Sequence, residues 1–375
     1  MPCSVDRFPA VAAFVAGAPR QWSELQIPEH TVLELCRTED LSALFFHRLS
    51  ESAGKTDWPT QLCDFLSESA RLQAGEELLR GAETRAVIDA LTHAGLSPIL
   101  IKGTPLAYTV YDAPVLRPRE DTDLLIAPED VEVARRVLGS LGYSATVYCH
   151  DLFSQFEMQK VDAFGVCHVF DVHWKISTQA VFERVLTHSG MLPRARRVPA
   201  LGPHAMTAGV VDALLLACIH PAMHHRNEQR VLWIYDVHLL AGALSAEQFL
   251  EFTSLAQQAQ MATLCAHQLG VAQRVFQTAL PPSILADLSR PGGHEPSAAY
   301  LASHRRWRHE LASSLRGSPR FADRVKLLRE VLLPSRDYML ALYGLRGKPL
   351  AAWLLPVLYV HRNARGAWKV LSGKK

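Results

Sequence analysis

Asp121 and Asp123 stand one residue apart and run directly into Leu124-Leu125-Ile126. That apolar triplet reads as a buried strand. Residues i and i+2 of a strand point to the same face. Both carboxylates therefore leave the beginning of a rigid element side by side. Unpaired like charges at that range repel, and burying them costs free energy. A hard divalent cation, which takes oxygen ligands, relieves the repulsion. The plainer alternative is a strand start whose acids are solvated or cap local backbone.

The texture around this segment differs from that of its flanks. Residues 1–95 read as helical: 29–49 and 62–94 carry apolar residues at three- and four-residue spacing, with charges on the other face. Gly95 suits a helix stop. The β-type run Ile99-Leu100-Ile101-Lys102 follows, then a helix start at Pro105. Residues 128–138 form a helix that is acidic early and basic late, matching the macrodipole. The span 148–161 is ambiguous, a strand or its flank, and 166–174 alternates as a strand does. From about 177 the helical pattern returns, with helices expected over 210–220, 231–240 and 246–276. The last 75 residues are basic and helix-prone, broken by prolines. The expectation is an α+β fold: a mixed-sheet module over 96–176, a helical region over 1–95, a second over 177–280, and a basic helical region over 281–375.

A chain of 375 residues is long enough for two or three domains. Its formal net charge of +2 gives no overall signal for a polyanionic partner. Seven cysteines are scattered without a CxxC pair, which argues against a disulfide scaffold or a structural zinc site. The first residues lack a cationic segment followed by an apolar one, so no secretory signal is read there. No apolar stretch approaches the ~20 residues of a spanning helix. The nearest, 349–360, is shorter and contains Pro356, and a peripheral membrane contact there is the weaker reading. A cytoplasmic protein is expected.

Further residues gather around the acids. Gly103-Thr104, after the first strand, lets a phosphate approach the backbone and adds a hydroxyl, although such a pair is also an ordinary turn. Asp171 lies in an apolar run, where an acid is expensive unless it is paired, metal-bound or at an edge facing water. His173 shares its strand face, to orient a carboxylate, contact phosphate or sit as a core histidine. Lys102 and Arg117 are the cations chosen to reach phosphate oxygens. Trp174 reads as packing or a stacking surface. His220 and His224 have metal-ligand spacing but lack the glutamate base of a metalloprotease helix. Asp236, in an apolar helix, either pairs with an arginine or reaches the pocket. Together the acids point to Mg²⁺-assisted phosphoryl or nucleotidyl transfer.

Three segments, residues 101–111, 116–126 and 171–174, resemble the bacterial uncharacterised nucleotidyltransferase family of the DNA polymerase β-like nucleotidyltransferase superfamily. That signature is a glycine with a small hydroxyl residue, then Asp-x-Asp, then a third carboxylate on a later strand. Gly103-Thr104, Asp121/Asp123 and Asp171 fill those places, with threonine where serine is commoner. The resemblance runs over about 60–270. It implies two Mg²⁺ ions held by Asp121, Asp123 and Asp171, a nucleoside triphosphate substrate whose base no motif identifies, and transfer of an NMP to a hydroxyl of a small-molecule, peptide or protein acceptor. Two alternatives stand beside it. One is a catalytically silent nucleotide-binding or regulatory module. The other is a toxin-like RNA nucleotidyltransferase, which would need Arg305, Arg306, Arg308, Arg316, Arg320, Arg324 and Lys326 gathered on one face near the acids. Nucleic acid stays open as an acceptor but is not favoured by the charge balance.

Overall fold

The computed structural model describes residues 9–18, 21–51, 57–145, 154–290, 295–302, 315, 321–334, 336–345 and 351–372. Arg305, Arg306, Arg308, Arg316 and Arg320 lie outside them, so the basic cluster posited from sequence is not described.

The chain opens with helices α1 (Pro9–Val15), α2 (Trp22–Leu25), α3 (Glu29–Thr38) and α4 (Ser42–Glu51), then α5 (Thr60–His93), which is 34 residues long. The single helix expected over 29–49 is split, because Asp40 adopts φ 56°. Aspartate tolerates that left-handed conformation better than most residues. Gly95, at φ 89°, reverses the chain after α5, where a side chain would be strained.

The sheet follows: β1 (Ile99–Ile101), β2 (Asp121–Leu125), β3 (Ser144–Ala145), β4 (Gln155–Val161), β5 (Cys167–His173), β6 (Arg196–Arg197) and β7 (Met206–Thr207). Helices α6 (Gly103–Thr109) and α7 (Val131–Ser140) lie between its early strands, and α8 (His188–Met191) follows β5. The strand order is β3-β4-β5-β2-β1-β7-β6, with β2 parallel to β5 and antiparallel to β1. Strand β7 pairs parallel with β1, so the sheet draws in residues beyond 176. Those two-residue strands, too short for an alternation signal, were not foreseen.

Alternation gives the sheet two different faces. Leu100, Leu124, Phe170 and Val172 pack with Val87, Ile88 and Leu91 of α5 and with Ala134 and Leu138 of α7. Each such side chain, fully buried, stabilises the fold by about 1.5–3 kcal/mol. Ile99, Ile101 and Leu125 join the larger core built with the N-terminal helices and with α9 (Val210–His224), α10 (Val231–Gly242), α11 (Ala246–Gln258) and α12 (Ala262–Phe276). A short α13 (Ile284–Ser289) packs on this group. The helix expected over 246–276 breaks at Gln260, φ 56°, whose carbonyl accepts from the Ser297 hydroxyl at 2.6 Å. A reciprocal cap starts α11: Ser245 Oγ accepts from the Gln248 backbone N–H, and Gln248 Oε1 accepts from that of Ser245. Among the described residues, no helix is long and apolar enough to cross a membrane.

Candidate active site

The odd-numbered residues of β2 and β5 carry the chemistry. Asp123 is paired in register with Asp171 on the adjacent parallel strand, and Ile101 lies opposite Asp123 on β1. In-register neighbours project from the same face, so the two carboxylates emerge together. Asp121 lies one pleat back along that face, at the exposed rim of β2. The acids thus open the strand itself, as their spacing suggested.

Asp123 is at the centre of the site. Its Oδ1 accepts from the Lys102 ammonium at 2.6 Å and is 2.9 Å from His173 Nε2. His173 Nε2 is also 3.3 Å from Asp171 Oδ2. Gln155 on β4 donates to the same Asp171 oxygen at 2.8 Å. Sequence reasoning missed Gln155, because nothing in β4 distinguishes it from the other polar residues of an alternating strand. Asp171 Oδ1 is buried and has no hydrogen-bond partner among the described residues. Ligand atoms of Asp123, Asp171 and His173 all lie within 4.8 Å of one another, a group able to hold a metal ion. Asp121 is outside that buried group.

Lys102 reaches the acids through an unusual backbone. It follows β1 and precedes α6 with φ 59° and ψ −135°. A side chain in that region costs on the order of 1–3 kcal/mol and persists only where the surroundings hold it. Here the ion pair with Asp123 does so. The strain falls on the residue that turns the chain from strand into helix beside the carboxylates.

The charges set one another's protonation. Burial opposes ionisation of Asp123, but Lys102 and then His173 outweigh it and hold its pKa below the usual carboxylate range. Asp121 responds the other way. The charge of Asp123 first, then loss of solvent around the carboxyl, push it up to about 7, although one flank of the residue is exposed. Burial and Lys102 lower His173, yet Asp171 and the bond to Asp123 raise it overall. Lys102, penalised by burial, is raised by Asp123 and Asp171.

The Asp121 shift makes a testable statement about stability. A carboxyl raised in the folded state favours folding below its unfolded pKa, and that contribution is lost as pH climbs to the folded value. Asp121→Asn removes the ionisation. The variant's melting temperature should therefore exceed that of wild type, both in EDTA, by a margin that widens from about pH 4 to about pH 7 and then levels. Comparing the two proteins at each pH cancels the buried histidines, which titrate in both. A margin independent of pH would contradict the like-charge account of Asp121.

Arg117 departs from the sequence expectation of a phosphate contact. Its side chain is buried, and Nε and Nη2 each donate to Asp236 at 2.8 Å, while Nη1 donates to the Pro118 carbonyl at 2.8 Å. A guanidinium this enclosed requires a counter-ion, and Asp236 of α10 supplies it. Tyr111 also donates to Asp236 at 2.8 Å. This settles the sequence's alternatives for Asp236 on the arginine side. The guanidinium lies against Gly103, where a Cβ would come within 3.5 Å of Nη2. Thr104 is buried, its hydroxyl 3.4 Å from both the Asp121 carbonyl and the Thr122 hydroxyl, the weak end of hydrogen bonding. Arg119 has a buried side chain and pairs with Glu77 of α5.

A cavity of about 40 Å³ separates the β1–α6 turn from α9 and α10, lined by Lys102, Gly103, Arg117, His220, Trp233 and Asp236 among others. That volume suits a few water molecules and not a nucleotide. His220 contacts the rings of His224, His225 and Trp233. Burial and then the Lys102 charge lower all three imidazoles, His224 to about 3, so they stand neutral. No carboxylate joins them in a metal-holding group among the described residues.

A family model described as "Uncharacterised nucleotidyltransferase" matches residues 26–277. The matched span begins in the N-terminal helices, crosses the sheet and ends just after α12. No curated protein gives a significant match.

Proposed function

The chain belongs to the uncharacterised nucleotidyltransferase family, and from that membership we propose that it moves a nucleoside monophosphate from a nucleoside triphosphate to a hydroxyl of a small molecule, peptide or protein, releasing pyrophosphate. The observation that carries this reading is the register pairing of Asp123 with Asp171, with Asp121 on the same strand face.

The residues fit a divalent cation. A buried carboxylate oxygen without a donor, such as Asp171 Oδ1, costs about 1–3 kcal/mol, and a cation is the partner that satisfies it. Asp121, Asp123 and Asp171 offer the oxygen donors that Mg²⁺ takes, and two ions follow from the superfamily pattern. His173 offers nitrogen, which Mg²⁺ takes poorly, so its role is to orient Asp123 through Nε2. When bound, Mg²⁺ neutralises the triphosphate and makes the acceptor hydroxyl more acidic.

The chain's own residues do the rest. The exposed Asp121 rim gives a triphosphate access to the acids. Lys102, bonded to Asp123 beside the acids, is the cation that would meet a phosphate oxygen. At the start of α6 the weakly held Thr104 hydroxyl adds a donor. Gln155 fixes Asp171 through Oδ2, so Oδ1 is the atom open to cation or to the acceptor's proton.

One observation favours a second reading, a nucleotide-binding module without turnover: the Lys102 ammonium bonds the very carboxylate that a cation would need. Incubation with each labelled NTP, Mg²⁺ and a panel of hydroxyl acceptors separates the two. Pyrophosphate release that disappears in Asp121→Ala supports the enzyme. Nucleotide binding without release across the whole panel overturns it in favour of the silent module.

A further inference from the structure

The C-terminal region lies beyond the matched family span and carries surface features the transfer reaction does not use. Residues 301–375 contain 16 Lys and Arg against 4 Asp and Glu, a formal +12 within a chain whose overall balance is +2. The remaining 300 residues are therefore net acidic, and the positive charge is concentrated at one end of the chain.

The helix Ala351–Ser372 has two faces. One is pinned to the helices before it, Phe321–Leu332 and Arg336–Leu342. Tyr359 donates to the Pro334 carbonyl at 2.6 Å, Arg362 to that of Val331 at 2.9 Å, and Asn363 to that of Leu332 at 2.9 Å. The opposite face carries Trp353, Val357, Val360 and Trp368, spaced four, three and eight residues apart, so they form one stripe. They are exposed by 84%, 63%, 70% and 68%, and Leu354 flanks them at 46%. His361 and Arg365 border the stripe and are exposed.

The helix Phe321–Leu332 repeats the design. Phe321, Val325, Leu328 and Leu332 recur at four, three and four residues and are exposed, with Arg329 beside them. Isolated exposed apolar residues are ordinary, but apolar stripes at helical spacing on two helices joined through Arg362 and Asn363 mark an interaction surface.

We propose that this surface seats on an anionic lipid bilayer, with the apolar stripes at the boundary between headgroups and acyl chains and the basic residues on the phosphates. The occupant follows from complementarity. The aliphatic members of the two stripes gain nothing from nucleic-acid bases but partition into the interfacial layer together with Trp353, Trp368 and Phe321, and a +12 segment complements an anionic surface. Tryptophans toward both ends of the stripe suit the headgroup level. The mode is peripheral, since no described helix is able to span.

Sedimentation with phosphatidylcholine vesicles, with and without about one-third phosphatidylglycerol, tests this on the full-length chain. The expected result is cosedimentation with the anionic vesicles, weakened by salt, with a blue-shifted tryptophan emission. The variant Trp353→Glu/Val357→Glu/Trp368→Glu should bind roughly tenfold or more weakly, while pyrophosphate release in solution, where present, and the far-UV spectrum stay unchanged. Equal binding by the variant overturns the proposal. So does salt-sensitive binding to RNA without vesicle binding, or a concentration-dependent dimer that buries the tryptophans and leaves vesicles unbound.

Discussion

Asp123→Asn is expected to lower pyrophosphate release by about a thousandfold or more while the protein stays folded. Asp123 is the one carboxylate that touches Lys102 and His173 and sits in register with Asp171. Its replacement removes the charge on which cation binding depends, and losing about 4 kcal/mol of transition-state stabilisation corresponds to that factor. The amide keeps the shape and relieves repulsion on Asp121 but leaves the Lys102 ammonium without its carboxylate, so the variant's far-UV spectrum and melting temperature are measured alongside to separate lost chemistry from lost fold. Activity within tenfold of wild type, in a system where the wild-type protein turns over, would remove Asp123 from the chemistry.

Arg117→Met carries the largest expected effect on stability. The substitution leaves the Asp236 carboxylate buried between the sheet module and α10, with Tyr111 as its remaining donor. Breaking a buried pair by removing one partner typically costs about 3–5 kcal/mol, whereas replacing both with apolar side chains is often nearly neutral. Urea titration should therefore show a large fall in midpoint for Arg117→Met and a substantial recovery in Arg117→Met/Asp236→Leu, with similar slopes. If the double variant is as unstable as the single one, the ion pair is not what joins the two halves.

How much of this was legible beforehand follows the range of the interactions. Asp121 and Asp123 announce themselves because a two-residue repeat followed by Leu124-Leu125-Ile126 is a local pattern, and β5 was readable from the alternation that ends in Asp171 and His173. That these strands are neighbours is a matter of topology, which the family resemblance supplied and local pattern does not. Arg117 shows the limit more sharply. Beside Asp121 in sequence it looks like a phosphate ligand, but its charge is taken by Asp236, well over a hundred residues away. No window on the sequence contains both partners. Gln155 escaped for the same reason: its role exists only because β4 lies against β5. The strain at Lys102 was invisible too, since a lysine after a strand gives no hint of a positive φ. Short strands β7 and β6 are fixed by pairing, β7 onto β1 and β6 onto β7, and not by their own residues.

The central claim is that the acidic face of β2 and β5 holds a divalent cation with a nucleotide. Mn²⁺, a paramagnetic stand-in for Mg²⁺, measures this without knowledge of the acceptor. Electron paramagnetic resonance should show Mn²⁺ taken up by the wild-type protein in the presence of a non-hydrolysable triphosphate analogue, and uptake roughly a hundredfold weaker in Asp123→Asn and in Asp171→Asn. Uptake unchanged in both variants would mean that these carboxylates do not hold the ion, and the account of the site would fall with it.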